Sequence, residues 1–155
     1  MSKANPQAPV LHANEHKVTG NDKLSGFRVF ISSIETDTGE TTNTTDETTL
    51  FTVSLPANSF SNILIETIVC GKDVYTTANH ITITWRIKYN SVTQRTFTQI
   101  ISNAANRNTQ LHQNLSYLMA GGQTAAANVT ITGQMSAAKA GYGILGNMVR
   151  LWGII

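Results

Sequence analysis

Ile81-Thr82-Ile83-Thr84-Trp85-Arg86-Ile87-Lys88-Tyr89 is the stretch on which the fold turns. Its apolar residues at 81, 83, 85, 87 and 89 alternate without exception with Thr82, Thr84, Arg86 and Lys88. A period of two places successive side chains on opposite faces of a strand, so one face is dry and the other wet. Asn90-Ser91 follows as a two-residue turn, and residues 92–101 continue as a second strand, which predicts a hairpin over 81–101.

The flanking sequence reads the same way. Phe51, Val53 and Leu55 share one face of a strand, and residues 27–31 (Phe-Arg-Val-Phe-Ile) form another. Residues 63–70 are apolar on both faces, as a central or interface strand would be. Beyond the hairpin, residues 129–132 alternate again, and residues 148–155 end the chain in an apolar strand that has to be buried. In residues 102–118 the leucines at 111, 115 and 118 have helical spacing, but Asn103, Asn106, Asn108 and Asn114 are poor helix formers. An irregular loop followed by a short strand at 115–119 is the expectation there. About eight short strands with long loops and no repeat predict an all-β chain, an antiparallel β-sandwich of jelly-roll type. Residues 1–24, with Pro6 and Pro9 and little apolar periodicity, are expected to form an extended N-terminal arm ahead of a jelly-roll domain over 25–155.

The chain has 155 residues, which suits one domain able to bury roughly 70% of its unfolded surface. Charged residues are 13% of the composition, about half the usual share, and Thr, Asn, Ser and Gln take the polar positions instead. The opening MSKANPQAPV lacks the apolar core of a secretory signal, and no apolar run approaches ~18 residues, so synthesis in the cytoplasm without a membrane span is expected. Cys70, in an apolar strand, reads as an inert core residue.

Charge is divided unevenly. Residues 1–73 hold all nine carboxylate side chains and five Lys or Arg, a formal charge of −4; residues 74–155 hold six Lys or Arg and no acid, +6. The second half therefore lacks a carboxylate general acid or metal ligand of its own, which argues against hydrolytic chemistry there. Arg86 and Lys88, with Arg95 on the hairpin partner, are expected to make a basic stripe. Together with Glu35, Asp37, Glu40, Asp46 and Glu47 in the Thr-rich run 35–47, they form the candidate docking surface, the stripe of one copy meeting the acidic loop of another or an acidic capsid surface. Ile63, Ile65, Leu151, Trp152, Ile154 and Ile155 are the candidate oligomer interface.

Sharper chemical readings fare less well. His12-Ala13-Asn14-Glu15-His16 has the H-x-x-E-H spacing of inverted zinc peptidases, but that motif needs a stable helix and this one follows Pro9 in a polar arm. The acidic run matches no calcium loop. His80 and His112 have no orienting acid nearby in sequence, and there is no G-x-S-x-G elbow. No catalytic residue, cofactor or metal is expected, and neither nucleic acid nor a small-molecule substrate is favoured as a partner.

At Glu47-Thr48-Thr49-Leu50, Leu55-Pro56-Ala57-Asn58 and Ile81 through Lys88 the chain resembles small jelly-roll modules in virion proteins of tailed bacteriophages, among them head decoration (cement) proteins and tail-fibre tips. The resemblance spans residues 45–135. It implies a homotrimer with jelly rolls side by side around a threefold axis, as in tumour necrosis factor-type assemblies. The implied role is structural: a capsid decoration protein on the virion surface that binds the major capsid protein and reinforces contacts between its subunits. The absence of shaft repeats favours a capsid accessory over a fibre fragment. The alternative is a receptor- or carbohydrate-binding module of a tail fibre, with Tyr75, Tyr117, Asn103, Asn106 and Gln110 as its candidate ligand contacts.

Overall fold

The computed structural model describes residues 27–74, 79–103 and 109–155. The arm expected over residues 1–24, with its H-x-x-E-H spacing, lies outside them. Among the described residues there are nine strands: β1 (Arg28–Ile34), β2 (Thr41–Thr42), β3 (Thr48–Leu55), β4 (Asn62–Asp73), β5 (Asn79–Tyr89), β6 (Val92–Asn103), β7 (Thr109–Ala120), β8 (Ala127–Met135) and β9 (Tyr142–Ile154). They form two antiparallel sheets. The first runs β1-β9-β4-β7, with β2 also paired to β9, and the second runs β3-β8-β5-β6. From β2 onward the chain changes sheet at each connection except the β5–β6 hairpin, so most partners are distant in sequence, as in a jelly roll built from two Greek keys.

The β5–β6 hairpin follows from its alternation. Ile81, Ile83, Trp85 and Ile87 are fully enclosed between the sheets, while Thr82, Thr84, Arg86 and Lys88 lie on the outer face. Asn90 and Ser91 both take positive φ, 45° and 68°, which matches the right-handed twist of the strands they join. Trp85 fits because Gly133, its neighbour on β8, has no side chain; a Cβ there would stand 2.6 Å from the indole ring. The indole N–H donates to Gln99 Oε1 (3.0 Å), and Gln99 Nε2 donates to the Leu111 carbonyl (3.0 Å). This buried chain ties β5 and β6 to β7 in the opposite sheet.

β4 is central, between β9 and β7, which explains its apolar residues on both faces. At the sandwich end, Asn58 of the Pro56-Ala57-Asn58 turn accepts from the backbone N–H groups of Phe60 and Gly122, and its own N–H donates to the Gln123 carbonyl. The turn thus anchors the loop between β7 and β8.

Residues 102–118 differ from expectation. β6 runs on to Asn103, and β7 is a strand of 12 residues rather than a loop with a short strand at 115–119. β7 is an edge strand paired along its whole length with β4, so backbone pairing, not side-chain pattern, extends it. Only Leu115 and Met119 on it are deeply buried, and polar residues are tolerated elsewhere.

Candidate functional site

The Thr-rich acidic run is a continuation of the sheet edge rather than a free loop. Beyond β1 it keeps to the same side of β9: Thr38 N–H donates to the Gly146 carbonyl (2.8 Å), the Gly146 N–H donates to Thr38 Oγ1 (2.9 Å), and Thr41 and Thr42 pair with Ile144 and Gly143. Its acids then reach cations of the same chain. Glu35 accepts from Arg150 Nε (2.8 Å), Asp37 accepts from Asn147 Nδ2 (3.0 Å), and Glu40 passes over Gly143 to Lys72 Nζ (3.0 Å). The contact with Arg150 holds the Glu35 carboxyl below its usual range and raises the Arg150 guanidinium.

Glu47 turns instead to the second sheet. It lies 2.6 Å from Lys88 Nζ and 3.7 Å from Arg86 Nη1 and accepts from the Thr132 hydroxyl, while Arg86 Nη2 donates to Gln134 Oε1 (3.0 Å). Partial burial works against the Glu47 charge, but the hydrogen bonds from Lys88 and Thr132 and the two positive charges outweigh it, and the net shift is downward.

These placements correct the expected docking surface. Arg86 and Lys88 share the single carboxylate of Glu47 of their own chain, so the stripe is engaged within one copy and keeps one net positive charge. Arg95 does not join it: a bulge beside Lys88 brings Arg95 into register with inward-facing Ile87, and its guanidinium sits 5.9 Å from the Phe97 ring centroid. Asp46 is exposed in a turn before β3. The carboxylates of the run diverge to two sheets, and among the described residues no group of three or more His, Cys, Asp or Glu side chains is placed to hold a metal.

The expected oligomer interface divides in two. Ile63, Ile65 and Leu151 are 0% exposed and belong to the core between the sheets, so they are not available to a partner. Trp152 and Ile154 point the other way and are partly exposed, as is Ile155, whose N–H donates to the Phe27 carbonyl. β4 and β9 alternate so that one apolar set faces inward and a second faces out.

That second set forms one row across the first sheet. Phe30 on β1 pairs with Trp152 on β9, Trp152 with Leu64 on β4, and Leu64 with Leu118 on β7. The rings of Phe30 and Trp152 meet edge to face with centroids 5.6 Å apart. Phe30 and Leu118, at the two ends, are each 55% exposed, and nothing in the chain's described residues covers them. The Trp152 indole donates to Glu66 Oε2 (2.7 Å), and Glu66 Oε1 lies 3.4 Å from Arg28. Beside this row the face dips into a depression of about 250 Å³, bordered by Glu66, Arg150, Asn114 and Ser116 and floored by Ile68 and Met148. Composition and alternation could have signalled the outward set, because residues 62–72 carry apolar side chains at even as well as odd positions.

A further group on this face was not apparent from sequence. His112 Nδ1 lies 3.1 Å from Asn147 Oδ1, whose amide nitrogen donates to Asp37, so the imidazole has an orienting amide and acid supplied from β9 and the edge run. Cys70 on β4 stands opposite His112 in register. The thiol is nevertheless buried, and its burial, with the Glu40 charge, raises its pKa, which keeps it protonated and unsuited to attack. Of the carbohydrate candidates, Gln110 is exposed on β7 and Tyr117 is half-buried; Tyr75, Asn106 and the Asn103 side chain lie outside the described residues.

No family model and no curated protein sequence matches the chain. Among solved structures, dimeric latent PorU from Porphyromonas gingivalis is similar at 12% identity and a TM-score of 0.42, over 83% of this chain and 11% of that one. The chain thus spans about a tenth of the length of that protein, and the likeness is too slight to bear on fold or chemistry.

Proposed function

We propose that the chain is a structural virion protein, a capsid decoration protein that works by adhesion rather than catalysis. The observation that carries this reading is the outer face of the first sheet. It presents an apolar row in which Phe30 and Leu118 are open and Trp152 is partly exposed, with Leu64, 8% exposed, packed between Trp152 and Leu118, and exposed apolar surface of this kind usually marks a protein contact. The strand order supports it as well, since double-sheet jelly rolls are frequent in viral capsids. Glu35, Glu40, Glu47 and Glu66 are each engaged by a cation of the same chain, an arrangement that holds shape. In this reading the partner is the major capsid protein on the exterior of a head. Ile63, Ile65 and Leu151 are enclosed within one copy, so of the expected oligomer interface only Trp152, Ile154 and Ile155 remain for a contact between copies.

Mass spectrometry of gradient-purified virus particles tests the proposal. The chain should be present in many copies per particle and should rebind particles from which it has been stripped. Its absence from the particles, together with binding to a glycan array that is lost in Trp152→Ala, would favour the carbohydrate-binding alternative.

A further inference from the structure

The outer face of the first sheet is related to itself by a pattern in its four strands. The order is β1-β9-β4-β7, so a line drawn along the strands between β9 and β4 divides the face into two halves. Turning a second copy by 180° about that line lays its β4 over β9 and its β7 over β1. Each registered row then meets its own other half. Trp152 faces Leu64 of the second copy and Phe30 faces Leu118, apolar on apolar in both cases. One row on, Arg150 faces Glu66, and by symmetry Glu66 faces Arg150. In the following row Met148 faces Ile68. Like charges are not brought together in any of these rows.

We infer that two copies of this chain pair through the outer faces of their five-stranded sheets, about a twofold axis that runs along the strands between β9 and β4. The contact is isologous, with residue i meeting j and j meeting i, and it closes at two copies. Size is adequate. Four strands ~4.8 Å apart and five same-face rows ~6.8 Å apart give about 650 Å² per copy, or about 1,300 Å² in all, which lies within the range of stable interfaces. Charge complementarity is built in as well, because Arg150 gives only its Nε to Glu35 and its two outer nitrogens remain for the second copy's Glu66. Sheets packed in this way lie within about 30° of parallel, which the twist of each sheet accommodates. The pairing occupies the same face that carries the capsid reading, so the two compete for it: docking on a particle through this face requires the pair to open, and the oligomeric state of the free chain is measured separately from its presence on particles.

Sedimentation equilibrium and mass photometry of the full chain test it. A dimer is expected at micromolar concentration, and Leu118→Lys should weaken it at least about tenfold, since a lysine would be set against the second copy's Phe30. Leu118 is 55% exposed in a single copy, so circular dichroism and the melting temperature of Leu118→Lys at dilutions where both proteins are monomeric should be unchanged. Geometry is checked by Phe30→Cys with Leu118→Cys and a short bis-maleimide. These positions lie at opposite edges of one sheet, about 14 Å apart, yet face each other across the ~10 Å between stacked sheets. The double variant should give a covalent dimer on a denaturing gel, and each single variant should remain mostly monomeric. A monomeric wild type at ~50 μM overturns the inference, including the case in which residues 1–26 cover the face of their own chain. So does any oligomer, dimer or trimer, that Leu118→Lys leaves intact or that the double variant fails to cross-link.

Discussion

Ser91 holds φ at 68° in the turn between β5 and β6, a conformation that costs an L side chain about 1–2 kcal/mol and glycine almost nothing. Ser91→Gly recovers part of that cost against the greater freedom of glycine in the unfolded chain. A gain of about 0.5–1 kcal/mol is expected, read as a higher midpoint in urea with an unchanged slope. Gly133 sits at the opposite extreme, since the space above its Cα is filled by the Trp85 ring and by Ile144 Cδ1 at 2.9 Å. Gly133→Ala forces the indole to move, which strains its hydrogen bond to Gln99. A loss of about 2–3 kcal/mol is expected by chemical denaturation, and a loss below ~0.5 kcal/mol would mean that the core beneath Trp85 is looser than the packing indicates.

Among the elements, β3, β5 and β8 are joined on their wet faces by Glu47, Lys88, Arg86, Thr132 and Gln134. Reversing both cations with Arg86→Glu and Lys88→Glu would gather three carboxylates at one partly buried place. The double variant should therefore melt about 5–10 °C lower, corresponding to about 2–3 kcal/mol, even as a monomer. An unchanged melting temperature with a salt-sensitive loss of assembly would restore the view of these residues as a docking stripe. How far the elements are legible in sequence follows from where each one's pattern originates. β5 is legible because both of its faces have a fixed solvent environment, so its side chains carry the period. β7 is not, because it is held by backbone pairing along β4, and hydrogen bonds between main chains leave no trace in side-chain identity. The edge run 35–47 is illegible for a related reason, since Thr38, Thr41 and Thr42 bind β9 through the main chain and one hydroxyl while exposing polar atoms.

At the scale of the whole molecule, acid should undo what these ion pairs contribute. Glu47 has a folded-state pKa below its ordinary value, so its contribution is complete above about pH 4.3 and is lost as pH falls through the depressed folded value. The melting temperature should be flat from about pH 8 to 5 and then drop, and Glu47→Gln should be less stable at neutral pH yet lose less on acidification. Parallel curves for the two proteins would show that Glu47 does not contribute through its charge. The β-sandwich class and the hairpin at 81–101 can both be read from the linear chain, because each depends on a local period that water and the core impose on neighbouring residues, whereas the apolar ending is buried only in part, with Trp152 and Ile154 facing out. The fate of the charges cannot. Their division between the two halves of the sequence is plain, but whether those charges serve another molecule or this one depends on which strands lie side by side. The jelly-roll topology places β9 between β1 and β4, and β8 between β3 and β5, so acids from the first half meet bases from the second within one copy. That outcome belongs to the tertiary structure, because ion pairs form over a few ångströms of space between residues up to 115 positions apart.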